Sequence, residues 1–447
     1  MTVGFIADGV DIHDPDLTRD GKSVFSDYQD FSGDGPDAPT GGDEAFLDAG
    51  AIAAQGTQVH DLARFSNLPL SRPCLIRLVG EAPGVDLVGL KVFSNSSTTT
   101  SNFLQAIDYA ADVAHVDVLN ESFGGNPLPD TTQDLVKAAN TAAIARGVTV
   151  TVSTGDAGIT NTIGSPATAP GAIAVGASTT FQAYLQTGYH GATLPGINGW
   201  VNNNISSLSS AGFSSSVRSG DLVAPGDINF APCSTDLDTY PECTTFAGGS
   251  DGIEEAGGTS ESAPIVAGVA ALAIQAYRAG HHGSSPAPAL VKRILLDSAD
   301  DIGAPAEQQG AGLVNARRAV VLATAYGSTG APTATAIQLT KNHFTAIGHG
   351  GQLSTFKAKV RNVGAKKATM SFRGRTLGAY TSVADTTVTL GESGTPYVDY
   401  AGLADNVAKT TFAVPAKADR LQASIAYQGS SLDPAARDRL LLVDPRG

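Results

Sequence analysis

Up to about residue 327, apolar residues fall into two alternating patterns. Short β-branched runs at Val3–Ile6, Asp86–Val92, Val116–Phe123, Val148–Ser153 and Ala172–Gly176 are apolar almost without a break. Between and after them, apolar positions recur at helical spacing over Glu44–Ala63, Ser101–Ala114, Thr131–Arg146, Thr259–Ala279 and Pro288–Ser298. Continuous apolar strands separated by helices predict an α/β fold, a parallel sheet buried on both faces by helices. Such a sheet binds ligands beyond the carboxyl ends of its strands. Ala7-Asp-Gly9, Ser122-Phe-Gly-Gly125 and Gly155-Asp-Ala-Gly158 all fall at such ends.

Beyond Tyr326 the pattern changes. Gly327-Ser-Thr-Gly-Ala-Pro332 reads as a linker, which divides the chain into residues 1–327 and 328–447. Period-two runs follow at Phe356–Val360, Thr369–Phe372, Thr387–Leu390, Thr411–Val414, Leu421–Tyr427 and Leu440–Val443. They predict a small antiparallel β-sandwich without a recognisable chemical cluster.

Charge and cysteines narrow the partners. A net charge of −15 over 447 residues argues against nucleic acid. No segment resembles a membrane span. Solubility on this scale suits a secreted protein, but Met1 leads straight into Val3-Gly-Phe-Ile6. A secreted form therefore needs its targeting segment, and any propeptide, upstream. Cys233 and Cys243 bracket a short polar loop and can pair, leaving Cys74 free; otherwise all three stay reduced. The acidic turns at Asp27–Asp37 offer oxygens for a structural calcium ion, although such loops are usually just solvated. No cofactor is required, and no metal-ligand spacing is visible.

The chemistry concentrates at Gly257-Gly-Thr-Ser-Glu-Ser-Ala-Pro264-Ile-Val-Ala-Gly268. Two glycines set a sharp turn, and the apolar helix that follows aims its positive end at the hydroxyl of Ser260. This segment resembles the nucleophile motif of the subtilases, the subtilisin-like serine peptidases. Val3-Gly-Phe-Ile-Ala-Asp-Gly-Val-Asp-Ile-His-Asp-Pro-Asp-Leu17 resembles the first strand and turn of that family, and Asp221-Leu-Val-Ala-Pro-Gly226 and Gly310-Ala-Gly-Leu-Val-Asn-Ala316 resemble later segments. The resemblance implies a subtilisin-like fold from about Val3 to Val320. It also implies that Ser122, Gly124 and Gly125 bind substrate backbone, and that the partners are proteins or peptides.

Three departures follow. Ala7 stands at the family's catalytic aspartate, with Asp8 one residue later. Gln55, in Gln55-Gly-Thr-Gln-Val59, stands at the family's histidine, and an amide cannot take a proton from serine. His60, His115 and His190 fit no base motif. Asp156 stands where the family has an oxyanion-binding asparagine, and a carboxyl donates only when protonated.

These changes resemble the sedolisins, serine-carboxyl peptidases with a Ser-Glu-Asp triad and an aspartate in the oxyanion hole. Their glutamate and aspartate lie four residues apart on one helix, as do Glu44 and Asp48 in Glu44-Ala-Phe-Leu-Asp48. The sedolisin calcium-site pattern is not visible. Spacing to the Ala82-Pro-Gly84 strand favours the subtilase register, with Gln55 at the histidine place. A helix running to Gln55 would put that residue on the same stripe as Glu44 and Asp48.

The expected activity is that of a secreted serine endopeptidase acting in mild acid. Ser260 is the expected nucleophile, Glu44 the base and Asp48 its partner, Asp156 an oxyanion donor and Asp8 the reserve carboxylate. Two rivals use the same residues: an inactive binding scaffold, suggested by Ala7 and Gln55, and an esterase or amidase on small acyl groups.

Overall fold

The structure is a computed structural model of residues 1–447. It describes all of them except 39, 41, 65–72, 96, 126–133, 181–201, 215–218, 246–247, 327–336, 345, 365, 377–379, 390–393, 399–403, 419–420, 427–439, 441 and 443–447. His190, the linker at 327–332, the start of the third expected helix and parts of the last expected strands lie outside the described residues.

Seven strands form one parallel sheet: β1 (Thr2–Ala7), β2 (Phe25–Asp30), β3 (Asp86–Lys91), β4 (Val118–Glu121), β5 (Thr149–Ser153), β6 (Ile173–Ser178) and β7 (Leu222–Pro225). Their spatial order is β7-β6-β5-β4-β1-β3-β2. The order reverses around β1, so the carboxyl ends of β1 and β4 diverge and leave room for a site. Side chains alternate across the sheet. Val3, Phe5 and Val118 pack on one face with α1 (Glu44–Ala53) and the long helix α4 (Thr259–Gly280). Ile6, Val88 and Leu119 face α2 (Thr100–Asp112) and α3 (Leu135–Ala145) on the other. Both faces are covered, as the uninterrupted apolar strands require.

Local chemistry explains the helix ends. Thr99 caps α2 through Asn102 N, and Asp134 caps α3 through Val136 N and Lys137 N. α1 is capped from outside, because Asp43 makes no side-chain cap bond and Asp8, just past β1, accepts from Ala45 N at 2.8 Å. α1 stops at Ala53, ten residues short of the expected end. The carbonyls of Ala51, Ile52 and Ala54 accept from the backbone N–H groups of Glu81, Ala82 and Gly80, and the chain leaves through Gly56 at φ 62°. α4 is long and apolar enough to cross a bilayer, yet it is the central helix of the core. α5 (Pro288–Ser298) and α6 (Ala316–Ala325) pack against it.

An antiparallel pair, β8 (Asn229–Pro232) and β9 (Ile253–Ala256), leads into α4, and Cys233 and Cys243 are joined in a disulfide just after β8. Cys74 is free. Further on, the described residues form two antiparallel pairs, β10 (Ile337–Leu339) with β11 (Val360–Asn362) and β12 (Thr395–Val398) with β13 (Ala404–Val407). β10 rests on α5, where Asp297 accepts from Leu339 N and Asn342 Nδ2, both at 3.0 Å. The runs at 369–372, 387–389 and 411–414 lie outside any ladder, and Phe372 is exposed.

Candidate active site

Ser260 is the second residue of α4. Gly258, at φ 100°, turns the chain into the helix, and a Cβ there would lie 2.5 Å from Asp156 Oδ2. Only glycine suits both the left-handed backbone and this close approach. The turn presents the Ser260 hydroxyl at the edge of the sheet, where it donates to the Ser122 carbonyl at 3.1 Å.

The Glu44 carboxyl lies beside that hydroxyl, at the first turn of α1. Burial, then the charges of Asp48, Asp8 and Asp43, push it well above 4.5, and a hydrogen bond with Ser260 opposes the rise. Asp48, one turn further along α1, is fully buried. Its Oδ1 accepts from Ser122 Oγ at 2.6 Å and Asn120 Nδ2 at 2.9 Å. Burial raises Asp48 well above 3.8 against those two donors. Glu44 Oε1 and Asp48 Oδ2 are shielded from solvent with no hydrogen-bond partner. Crowded carboxyls of this kind hold protons in common. The helical spacing of four thus brings Glu44 and Asp48 together on the face that meets α4.

Asp156 faces the nucleophile turn from the loop after β5. Its Oδ1 accepts from Thr259 N at 2.8 Å and from Thr259 Oγ1 at 2.9 Å. Burial raises it above 3.8 despite these bonds, and a proton on Oδ2 would be free to donate. A cleft of about 170 Å³ runs past Asp156 and Ser260, with Gly124, Gly125 and Ser153 among its walls. Gly124 and Gly125 thus line the cleft beside Ser260, although the Gly125 N–H is taken by the Ser165 carbonyl at 2.9 Å. The Ser122 side chain supports Asp48, while its carbonyl meets Ser260.

Gln55 is not in the site, which corrects the subtilase register. It lies beyond the end of α1, where its Nε2 donates to the carbonyls of Ala53 (2.5 Å) and Pro83 (2.8 Å). His60 is buried against Asp16, Nε2 to Oδ2 at 2.8 Å, and His115 Nδ1 lies 3.2 Å from the Ala111 carbonyl. Asp8 stays at the rim, where burial raises it to about 7 while the backbone N–H groups of α1 oppose the rise.

Other carboxyls escaped notice in the sequence. Glu254, in β9, is buried with Oε1 unpartnered and Oε2 3.4 Å from Cys233 Sγ. That sulfur is in the disulfide, so it has no proton to donate. Burial and the neighbouring Asp43 push Glu254 well above 4.5. Glu261, next to Ser260, accepts from Asn229 Nδ2 at 3.1 Å, and burial raises it to about 8. Neither sits in a periodic pattern that would have singled it out. Behind α1, Tyr240 meets Phe46 edge to face at 5.1 Å, inside the loop closed by the disulfide.

Among the described residues no group of three or more His, Cys, Asp or Glu is disposed to hold a metal ion. In the expected calcium loop, Asp30 accepts from Ser32 N at 2.9 Å and Gly35 N at 2.8 Å.

A model of the subtilase family matches residues 1–313. Subtilisin E of Bacillus subtilis (strain 168) is 28% identical over 286 residues, covering 62% of this chain and 56% of its own length. Subtilisin DY of Bacillus licheniformis is 30% identical over 246 residues, 54% of this chain and 70% of that protein. The chain thus spans little more than half of the first of these relatives. The crystal structure of a lanthipeptide protease shares the fold, with a TM-score of 0.50, 22% identity and coverage of 71% of this chain and 86% of that one.

Proposed function

The chain belongs to the subtilase family, and on that premise we propose that it is a secreted serine endopeptidase activated by carboxylates instead of histidine. The observation that carries this reading is the Glu44 carboxyl beside the side chain of Ser260, whose hydroxyl donates to the Ser122 carbonyl at 3.1 Å, with Asp156 across the same turn.

In the first step Glu44 takes the Ser260 proton as Oγ attacks the peptide carbonyl, while Asp48 holds the remaining proton of the pair. The oxyanion forms near the amino end of α4, where Asp156, protonated on Oδ2, and the backbone N–H groups of the turn can donate. Glu44 then passes its proton to the leaving amine, and water attacks the acyl-enzyme by the reverse route. Substrate backbone lies along Gly124 and Gly125. This scheme needs a shared proton on Glu44 and Asp48 and a neutral Asp156, so it works in mild acid. The disulfide supports an oxidising, extracellular setting.

A fluorophosphonate probe and a quenched peptide library, run from mild acid to mild base, test the proposal. The wild type should label and cleave peptides in mild acid, and Ser260→Ala should do neither. An inert wild type would instead be a binding scaffold. An activity that vanishes on acidification and peaks above neutrality would refute carboxylate activation.

A further inference from the structure

The face of the sheet that meets α1 and α4 is apolar at Val3, Phe5, Val118, Ile173 and Val175. Two neighbours in register break it, Asn120 of β4 and Thr151 of β5, and both are fully buried. A buried amide or hydroxyl is costly unless it is bonded, so the bonds these two make have to account for their place in the core.

Those bonds run in one direction. Thr151 Oγ1 lies 2.9 Å from Asn120 Oδ1 and 3.4 Å from the Leu119 carbonyl, and both partners only accept. Its single proton therefore goes to the nearer one. With Oδ1 occupied, the Asn120 amide turns its two N–H groups the other way, to Ser122 Oγ at 2.8 Å and Asp48 Oδ1 at 2.9 Å. Ser122 thus receives one hydrogen bond and has one proton to give. Asp48 Oδ1, at 2.6 Å, is a closer acceptor for it than the Ser260 carbonyl at 3.0 Å. Asp48 Oδ1 ends with two donors, while Asp48 Oδ2 and Glu44 Oε1 are left with none. Without the threonine proton the amide fits either way up, because its oxygen and nitrogen ends have nearly the same shape.

The groups that act on the Glu44–Asp48 pair from the surrounding elements are carboxyls: Asp43 on α1 itself, Asp8 after β1, Glu261 on α4 and Glu254 of β9. Lys91, at the end of β3, sends its Nζ to the Gly35 carbonyl, and Asp16, near the far end of α1, is taken by His60. With acidic neighbours, the negative charge of the pair relies on neutral donors, which are Asn120 and Ser122.

We propose that Thr151 is a positioning residue: through Asn120 and Ser122 it reserves Asp48 Oδ2 for the proton shared with Glu44 and keeps the pair singly charged in mild acid. The proposal rests on the reading of Glu44 as the base towards Ser260.

Thr151→Val keeps the branched shape and removes the donor, so the amide is free to invert and Asp48 loses a hydrogen bond. The singly charged pair is then harder to form. The acid limb of the kcat/KM profile should move upward by about half to one pH unit, about three- to tenfold in kcat/KM on that limb, with plateau kcat and KM near wild type. Thr151→Ser restores the donor and should return the limb to its place. A limb that stays put in Thr151→Val, or moves as far in Thr151→Ser, would overturn the relay, since a threonine that merely fills the core changes stability and not the limb. If Thr151→Val does not fold, Thr151→Ala carries the same expectation. If the wild type neither cleaves peptides nor takes the phosphonate probe, the peptidase reading fails. Carbon NMR titration of protein labelled at its aspartate and glutamate carboxyls, assigned with Asp48→Asn, then decides on the relay alone. An Asp48 signal that titrates higher in Thr151→Val supports it, and an unchanged one overturns it.

Discussion

At the scale of single residues, Glu44 and Asp156 make different demands on protonation, and substitutions separate them. Glu44→Gln keeps the shape but removes the base, so kcat should fall by roughly 10²–10⁴ with little change in KM. Steady-state kinetics on a peptide substrate measures this. Asp156→Asn replaces a donor that exists only when protonated by an amide that donates at any pH. The variant should stay active, and the alkaline limb of its pH–rate profile should move upward. Asp156→Ala, with no donor, should lose about 10²–10³ in kcat. If Asp156→Asn left the limb in place, some other group would set it. Both positions were singled out in the sequence through the resemblance to subtilases and sedolisins, and the structure brings Glu44, with Asp48 on the same helix face, and Asp156 beside the turn that carries Ser260. Asn120 and Glu254 were not legible. Their importance comes from burial beside Asp48 and Asp43, contacts between segments far apart in the chain.

At the scale of elements, the nucleophile depends on the turn into α4 and the base on the first turn of α1. Gly258→Ala would place a methyl group against Asp156 in a left-handed backbone. It should cost about 1–3 kcal/mol of stability and lower kcat by displacing Asp156, read by denaturant unfolding and kinetics together. The five strands expected up to Gly176 appear within a residue or two of their runs, since an unbroken apolar run has few other uses, whereas the alternating runs beyond 369 lie mostly outside any ladder. The end of α1 was less legible. Its apolar pattern continues towards Ala63, and what stops the helix is a distant segment, Gly80 to Ala82, whose N–H groups take its final carbonyls. That early stop is also why Gln55, matched to the histidine place by motif alone, sits away from Ser260.

For the whole molecule, the pattern of raised carboxyl pKa values sets the dependence of stability on pH. Burial raises Asp8 and Asp14 from 3.8 to about 7, Asp227 to about 6, and Glu121 and Glu261 from 4.5 to about 8. The folded state therefore holds protons that the unfolded chain releases. The stabilisation is fully present below the unfolded values and is lost as pH rises through the folded ones. Asp16 and Asp30 oppose the trend: burial raises them, but their hydrogen-bond donors outweigh it and hold both below 3.8, so their contribution fails only in stronger acid. The melting temperature should thus be highest near about pH 4–5 and fall steadily towards about pH 8. Calorimetry across that range checks it, and a melting temperature that climbs towards neutrality would contradict the burial of these groups. The overall charge of −15 gives no hint of this, because it counts every carboxyl as ionised.

The bridge between Cys233 and Cys243 ties Tyr240 into a short loop that leans on Phe46, two residues from the general base. A mild thiol reductant should therefore blunt turnover at concentrations that leave the parallel sheet folded. On the proposed reading of a secreted peptidase, turnover would fall silent in a reducing compartment, and the crosslink would act as a compartment lock placed under α1.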